Sequence, residues 1–334
     1  MRRPIGGIVR LLIGLAISGA ALAIALRWAG WEALRSALRS VDYAVLWPAA
    51  GIYLAAMAAR GLCWREILGR RAGLLRHLAA LNEGYLLNNL LPWRMGELGR
   101  AVLLGRRPGL SAPMVLSSIV GERLFDMAFA VGLLVAMAPI AFNAAWAPRA
   151  AALGGGALAA AIIGLGLVAA RPSIAESILR RLPGGRPRWG RAWEGVRSGL
   201  ASLGRPDRFL LALAWMGASW ALAGVEYWVV LRAFVPQAPL AWALLALCVT
   251  LLGVAIPSAP GYVGVFEASA VAALAIVGVA SSVALGYALI LHALHYGITS
   301  LLGAAALVGE GETLAGAVRA ARSWAGQGTP RQAG

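Results

Sequence analysis

Residues 88 to 100 read Asn-Asn-Leu-Leu-Pro-Trp-Arg-Met-Gly-Glu-Leu-Gly-Arg, and this stretch interrupts a strongly apolar sequence. It contains two Asn, a Pro, two Gly, two Arg and a Glu where a continuous membrane helix would carry Leu, Ala and Val. Unpaired backbone groups and charged side chains are costly in hydrocarbon. We therefore expect this break to line a cavity that is enclosed by protein or filled with water.

The composition predicts an all-α integral membrane protein. Hydrophobic residues make up 60% of the 334-residue chain, its mean hydropathy is +0.75, and only 13% of its residues are charged, compared with about 25% in soluble domains. We predict one membrane domain over residues 1–308, a polytopic helix bundle with about eight spans of about 20 residues each. A disordered cytoplasmic tail is predicted over residues 309–334, which leaves no length for a soluble catalytic domain.

Long apolar runs give the positions of the predicted spans. They lie near residues 5–26, 43–63, 115–140, 150–170, 209–231, 240–256, 262–280 and 283–308. A further apolar run at residues 78–91 is too short to cross a bilayer and ends just before Pro92. We predict that this run is re-entrant, because proline prevents the helix from continuing straight.

The distribution of Arg supports the re-entrant prediction. All 30 basic residues are Arg and the net charge is +16. One cluster precedes the short run and another follows it: Arg60, Arg65, Arg70, Arg71 and Arg76, then Arg94, Arg100, Arg106 and Arg107. A re-entrant run places both clusters on one side, and the positive-inside rule assigns that side to the cytoplasm. We predict a multi-pass protein of the bacterial plasma membrane with cytoplasmic termini and an interfacial helix near residues 27–42.

The segment from residue 171 to residue 208 is strongly basic and carries nine Arg together with Trp189 and Trp193. A basic amphipathic stretch with Trp is typical of segments that lie on an anionic leaflet. The alternative is an ordinary cytoplasmic loop whose charge only sets the topology.

Three ionisable residues, Glu122, Arg123 and Asp126, occur near the start of a predicted span. Glu122 and Asp126 are four residues apart and share a helix face. Each charge would cost roughly 2.5–3.5 kcal/mol at the lipid-facing centre of a helix, so we expect them to face the bundle interior and to pair. Two interpretations remain open, a structural ion-pair network near the cytoplasmic interface and the lining of a substrate path.

A second break lies at residues 255 to 267, which read Ala-Ile-Pro-Ser-Ala-Pro-Gly-Tyr-Val-Gly-Val-Phe-Glu. Pro260 is followed four residues on by Gly264, as Pro92 is followed by Gly96 in the first break. Two elements broken by Gly and Pro in opposite halves are typical of transporter sites built from internal repeats, and an inverted repeat is our hypothesis. The residues predicted to permit these breaks and gating are Pro92, Gly96, Pro257, Pro260, Gly261 and Gly264.

The breaks also predict an anion site. Exposed helix N-termini attract anions, and Arg94 and Arg100 can add bidentate contacts to a phosphate. We therefore predict a lipid-headgroup phosphate as ligand, with Asn89 and Glu97 nearby. The alternative is that Arg94 and Arg100 are topogenic charges or pair with Glu97.

Other polar residues give weaker signals. Glu226 lies within a predicted span and needs a partner or a proton. His292 and His295, with Tyr296 beside them, are interpreted as a hydrogen-bonded core pair and not as metal ligands. The sequence has no nucleophile-elbow or Walker motif and no Cys/His cluster with zinc spacing. We expect no catalytic residue, metal, cofactor or nucleic-acid partner.

Three ordered motifs resemble the lysylphosphatidylglycerol synthase transmembrane family, also called flippase-like. The motif residues are Asn89, Pro92, Arg94, Gly96, Glu97 and Arg100, then Glu122, Arg123 and Asp126, then Pro257, Pro260, Gly261, Gly264 and Glu267. The family includes the integral-membrane half of the bacterial multiple peptide resistance factor, and the resemblance covers roughly residues 5–308. It implies a bundle of helices with re-entrant pieces.

The best-understood members of this family move aminoacylated phosphatidylglycerol between leaflets and carry a C-terminal soluble aminoacyl-transferase domain. The present sequence ends soon after residue 308, so synthase chemistry is not expected. Short members are thought to handle varied lipids, including polyprenyl-linked and hopanoid-type ones.

Three hypotheses for the function follow from these observations. The first is a flippase-like transporter, in which Arg94 and Arg100 hold a lipid phosphate while acidic residues balance the charge or bind a cationic headgroup. Those acidic residues are Glu97, Glu122, Asp126 and Glu267. The second is a membrane-embedded lipid-modifying transferase with Glu122 or Asp126 as its base. The third is a non-catalytic partner that recruits a lipid-modifying enzyme through residues 171–208.

Overall fold

The computed structural model describes residues 5–141, 147–170, 201–256 and 258–327. Within these ranges the chain forms twelve α-helices and three short 3-10 turns, with no strand. The helices are α1 (Ile5–Ala29), α2 (Trp31–Arg39), α3 (Leu46–Ile67), α4 (Leu74–Leu90), α5 (Met95–Gly105), α6 (Ala112–Ala141), α7 (Ala147–Ala170), α8 (Pro206–Phe234), α9 (Leu240–Gly253), α10 (Val265–Ile276), α11 (Ser281–Gly309) and α12 (Leu314–Gln327). Pro257 and residues 171–200 of the basic segment lie outside the described residues.

The helix lengths confirm a helical membrane bundle. Three helical stretches among the described residues are long and apolar enough to cross a bilayer: Tyr43–Ile67, Pro206–Phe234 and Ser281–Gly309. A fourth is formed if α1 and α2, which are bent by 80° at Gly30, count as one span. The runs predicted as spans at 240–256 and 262–280 contain α9 and α10, with 14 and 12 residues. At about 1.5 Å per residue, neither crosses a core of about 30 Å alone.

The first break forms a re-entrant-type helical hairpin. Trp93 and Arg94 take positive φ angles of 65° and 52° and reverse the chain between α4 and α5. The two helices pack antiparallel, and a Cβ added to Gly96 would lie 1.9 Å from the Gly84 carbonyl oxygen. Only a residue without a side chain allows the backbones to approach this closely. Pro92, just before the reversal, prevents continuation of α4.

The second break has the same construction. Pro260 opens a 3-10 turn in which Gly261 has φ 68°, and Gly264 before α10 has φ 89°. A Cβ on Gly264 would also lie 2.1 Å from the Ser18 carbonyl oxygen, so α1 packs directly on this turn. α9 and α10 then pack side by side as a second hairpin.

The packing of the two halves follows an internal two-fold relation. α3 to α6 correspond to α8 to α11: α3 packs on α8, the first hairpin packs on α11 through α4, and the second packs on α6 through α9. This pairing of corresponding helices supports the hypothesis of an internal repeat drawn from the two breaks, and its inverted orientation stays a hypothesis.

Residues 314–327 differ from the disordered tail expected from the sequence. They form α12, which packs on α5 and buries Ala317 and Ala321 completely. An ion pair of 2.6 Å between Arg106 and Glu312 lies next to this contact. The small Ala side chains present an apolar stripe that α5 covers, and this burial stabilises the helix.

Candidate functional site

A cavity of about 230 Å³ lies between the two hairpins and α3, α6, α8 and α11. Five of the residues predicted to bind substrate line it: Asn89, Arg94, Glu97, Arg123 and Asp126. Arg100, Glu122 and Glu267 do not line it, but each contacts a residue of the surrounding network. The structure therefore brings the predicted site residues around one hollow.

Two carboxylates on α6 form the centre of the charged network. Glu122 and Asp126 are both 0% exposed. Arg60 of α3 donates from one nitrogen to both of them, at 3.2 Å to Glu122 Oε1 and 2.8 Å to Asp126 Oδ2. Trp220 of α8 donates its indole N–H to Asp126 Oδ1 at 3.2 Å. Three helices are thus joined at one pair of acids.

Arg100 is the most deeply buried cation at the site. Its side chain is 2% exposed, and Nη2 lies 2.9 Å from Glu122 Oε2. The guanidinium also lies 4.6 Å from the ring centroid of Trp64, whose indole N–H donates to Ser118 Oγ at 3.0 Å. A cation–π contact is strong when both partners are desolvated. Arg100 was predicted as a phosphate ligand, but its contacts place it behind the cavity wall.

Two further Arg face the cavity. Arg123 lies 2.7 Å from Asp126 and 3.1 Å from Glu97. Arg94 donates to the Val254 carbonyl at 3.1 Å and lies 3.5 Å from Glu97 Oε1, and its side chain is 23% exposed. Because Val254 caps the C-terminus of α9, just before the second break, Arg94 links the two hairpins. Of these two Arg side chains, Arg94 has the longer ion pair. It is therefore the more available cation for a ligand.

Seven charged residues at and behind the cavity wall form a network that we call the arginine–carboxylate cluster. They are Arg60, Arg94, Arg100, Arg123, Glu97, Glu122 and Asp126. Four cations and three carboxylates leave the cluster one net positive charge. The same residues pair with one another and border the cavity, so the ion-pair network of the first interpretation is present, and the substrate path of the second stays a prediction.

The Asn pair of the first break connects it to its surroundings. Asn88 Oδ1 accepts the N–H of Gly96 at 2.8 Å, which closes the hairpin. Asn89 donates to Thr299 Oγ1 and Ser300 Oγ of α11, both at 2.9 Å. The first break is therefore bonded directly to α11, the helix that follows the second hairpin.

Replacing Asn89 with Ala should lower the free energy of unfolding by about 1–3 kcal/mol, because the buried hydroxyl of Thr299 and the half-buried hydroxyl of Ser300 lose a donor. Unfolding of the purified protein by SDS, followed by Trp fluorescence, would measure this. Asn82→Ala is the matched control, since within the described part of the chain the Asn82 amide donates to its own helix, to Leu78 O at 2.8 Å. Equal effects of the two substitutions would contradict a special role for the Asn89 contacts.

The second break is closed by Glu267 and His292. Glu267 Oε2 accepts the Gly264 N–H at 2.6 Å, and Oε1 lies 2.6 Å from His292 Nδ1. The other ring nitrogen, Nε2, lies 2.8 Å from the Gly261 carbonyl. Glu267 is thus a cap for α10 and, among the described residues, is linked to the cavity through His292.

The two histidines of α11 bond to carboxylates from different helices. His295 Nε2 lies 2.7 Å from Glu226 Oε1 of α8, and its ring stacks on Tyr53 at 4.2 Å. Both histidines line the cavity, so they belong to the site and are not simply packed in a core. Among the described residues, no group of three or more His, Cys, Asp or Glu side chains is arranged to hold a metal ion.

Sequence reasoning missed several lining residues. Arg60 was grouped with the cytoplasmic Arg, although it lies inside the apolar run 43–63, and that position was the available signal. Tyr53, Tyr85 and Tyr262 also line the cavity. Tyrosines scattered through apolar runs carry no pattern that would have singled them out.

Fold and site together define a helical membrane protein with a charged cavity between two re-entrant-type hairpins. The sequence matches the family model for the lysylphosphatidylglycerol synthase TM region over residues 11–303. The chain belongs to this family, which confirms the resemblance drawn from the three motifs and supports a function related to membrane lipids. No curated protein sequence gives a significant match.

Proposed function

We propose that the cavity binds the anionic headgroup of a membrane lipid and that the protein moves this lipid between leaflets. The observation that carries this proposal is that three guanidinium groups, those of Arg60, Arg94 and Arg123, line a hollow inside the bundle. A charged side chain within a membrane is costly and is kept where it serves a pathway or a partner. A phosphate fits because Arg binds it through parallel N–H donors.

Arg94 is the residue that we assign to the first contact with the phosphate. It contacts the Val254 carbonyl, the ring of Tyr262 at 5.7 Å and, through a long ion pair of 3.5 Å, Glu97. A phosphate can replace these partners without leaving a charge unpaired, because Glu97 keeps Arg123 at 3.1 Å. Arg100 and Arg60 hold the acids in place behind it.

Transport, as opposed to static binding, is supported by the two hairpins. Each breaks the backbone inside the bundle, and Arg94 and Asn89 connect both breaks to one another and to α11. Paired broken helices around a central site are the construction used for alternating access. The positive-φ residues at the breaks are the positions where a change of backbone angle would reposition a hairpin.

The family description names a lipid that carries a phosphate and an aminoacyl group. Aminoacylated phosphatidylglycerol and polyprenyl-linked phosphates are therefore the substrates that we propose to test first. The proposed partners are this lipid, an anionic leaflet in contact with residues 171–208, and a lipid-modifying enzyme that supplies the substrate. The plasma membrane and cytoplasmic termini remain part of the proposal.

Arg94→Gln should slow lipid movement by about 10–100-fold, because a charge-assisted bond contributes about 1.5–3 kcal/mol. The measurement is dithionite quenching of fluorescent phosphatidylglycerol in liposomes that contain the purified protein. Arg205→Gln is the matched control, since Arg205 is exposed and its ion pair among the described residues is with the nearby Asp207. Wild-type protein that moves no anionic or aminoacylated lipid would overturn the proposal, and an unchanged rate in Arg94→Gln would overturn the residue assignment.

A further inference from the structure

The cavity is lined by five tyrosines whose hydroxyls the proposed phosphate contacts do not use: Tyr53, Tyr85, Tyr227, Tyr262 and Tyr296. Two of these hydroxyls are bonded to the protein. Tyr227 Oη lies 3.2 Å from Thr250 Oγ1, and Tyr296 donates to the Asn89 carbonyl at 3.3 Å. The other three tyrosines, which we call the tyrosine triad, have hydroxyls without a hydrogen-bond partner in the part of the chain that the structure describes: Tyr53, Tyr85 and Tyr262.

A tyrosine hydroxyl that is removed from bulk water normally has a hydrogen-bond partner, because an unpaired polar group inside a protein is costly. Each side chain of the triad is half-buried and borders the cavity. The protein supplies no acceptor or donor for these hydroxyls within the described residues, so their partner has to enter the cavity. That partner is either water or a group of the ligand.

The triad brings together three separate elements next to the proposed phosphate site. Tyr53 lies on α3, Tyr85 on α4 and Tyr262 in the turn of the second break. Tyr85 lies within electrostatic reach of both other tyrosines. The guanidinium carbon of Arg94 lies 5.7 Å from the centroid of the Tyr262 ring. A ligand whose phosphate is held by Arg94 therefore has its next atoms beside the triad.

Two rings of the triad are held in place by their surroundings. Tyr262 has a φ angle of 60°, which is uncommon for a residue with a side chain and persists only where the structure around it holds it. The ring of Tyr53 stacks on His295, with a centroid distance of 4.2 Å and an interplanar angle of 15°. Hydroxyls on fixed rings bind a matching ligand at a lower entropic cost than mobile ones.

The chemistry of the cavity wall favours ligand hydroxyls over an ammonium group beside the phosphate. An ammonium group needs an accessible carboxylate, but Glu97 and Asp126 already pair with Arg123 at 3.1 Å and 2.7 Å. The unpaired Oε2 of Glu226 is buried and out of contact with solvent. A ligand hydroxyl matches a phenol hydroxyl, because both can donate and accept.

The size of the cavity is compatible with such a ligand. Its volume of about 230 Å³ is several times the roughly 30 Å³ that one water occupies in the liquid. A phosphate can therefore enter together with a further polar group.

We propose that the tyrosine triad binds the hydroxyl groups of a polyol, either glycerol or a cyclic polyol, that is attached to the lipid phosphate held by Arg94. This inference rests on the proposed function, because it needs a lipid phosphate in the cavity. It divides recognition between two sets of residues: the arginines select for negative charge, and the triad selects for hydroxyls. A site built to bond ligand hydroxyls rejects an analogue that lacks them, because its own polar groups are then left unpaired.

Lipids that share one negative charge but differ in headgroup hydroxyls test this inference. Fluorescent phosphatidylglycerol, phosphatidylinositol and phosphatidylmethanol with identical acyl chains are placed in trace amounts in liposomes that contain the full-length protein, and dithionite quenching gives their rates of movement. Phosphatidylmethanol has no headgroup hydroxyl. We expect at least one of the two polyol lipids to move about tenfold faster than phosphatidylmethanol, since each neutral hydrogen bond contributes a factor of about 2–10. The faster of the two identifies an open-chain or a cyclic polyol.

Tyrosine-to-phenylalanine variants distinguish hydroxyl recognition from a structural role, because they keep the ring and remove only the hydroxyl. Tyr53→Phe, Tyr85→Phe and Tyr262→Phe should each slow the preferred polyol lipid by about 2–10-fold and leave the rate of phosphatidylmethanol unchanged. Tyr43→Phe is the matched control, because Tyr43 donates to the Leu38 carbonyl at 2.8 Å and does not line the cavity. Variants that slow all three lipids equally would contradict hydroxyl recognition.

The outcomes separate this inference from the function on which it rests. Equal rates for the three lipids in the wild-type protein would overturn the inference and leave lipid movement intact, with the triad bonded to water alone. A wild-type protein that moves none of the three lipids would overturn the proposed function itself. The comparison of lipids needs no variant, so the test stands even if a Phe variant does not fold.

Discussion

Glu122→Gln is expected to destabilise the bundle by about 3–5 kcal/mol, the cost of leaving a buried charge without its partner. Glu122 is 0% exposed and lies within ion-pair distance of three guanidinium groups, those of Arg60, Arg100 and Arg123. For Arg100 it is the only carboxylate within this distance in the described ranges. The amide keeps the size of the side chain but adds a second net positive charge to the cluster.

The measurement is the free energy of unfolding in SDS, followed by Trp fluorescence. Asp207→Asn is the matched control, because Asp207 is a 55% exposed carboxylate that also pairs with Arg. Exposed ion pairs contribute little to the free energy of unfolding, so this control should unfold at the same SDS fraction as the wild-type protein. If Glu122→Gln unfolds at the same SDS fraction as Asp207→Asn, the cluster does not hold the helices together.

Gly96→Ala is expected to prevent the first hairpin from closing. The added Cβ would lie 1.9 Å from the Gly84 carbonyl oxygen and 2.7 Å from Asn88 Oδ1. The nearest atom belongs to the backbone of α4, so it cannot move aside as a flexible side chain would. Overpacking costs typically about 1–3 kcal/mol, and we expect the upper end or a complete loss of folded protein.

Gly51→Ala in α3 provides the control for this substitution. A Cβ on Gly51 meets no atom within 4 Å, and Ala favours a helix over Gly by about 1 kcal/mol. Folded yield on gel filtration and the SDS midpoint should be unchanged or higher for Gly51→Ala and lower for Gly96→Ala. Wild-type yield and stability in Gly96→Ala would show that the two backbones lie farther apart than described.

Local sequence chemistry was enough to predict the two breaks and the intramembrane charges. Proline stops a helix and glycine permits positive φ angles or close backbone contact because of their own covalent structure. The effects of Pro92, Gly96, Pro260 and Gly264 can therefore be predicted without knowledge of the fold. The interior position of Glu122 and Asp126 could be predicted for a similar reason, because their spacing places both on one helix face.

The ion-pair partners of these residues could not be predicted from the sequence. Arg60 lies 62 residues from Glu122 along the chain, and Glu226 lies 69 residues from His295. Which Arg pairs with which acid depends on how α3, α6 and α8 pack, and Arg60 in particular was interpreted only as a topogenic charge. α12 was missed for the same reason, since its stability comes from the surface of α5.

The sequence by itself determined that this protein is a helical membrane bundle interrupted at two places, because hydropathy, proline, glycine and charge act within a few residues. Only the tertiary structure decided which charges face the cavity and which lie behind its wall. That choice depends on pairing energies between side chains brought together from distant helices, where desolvation makes each buried charge depend on its neighbour.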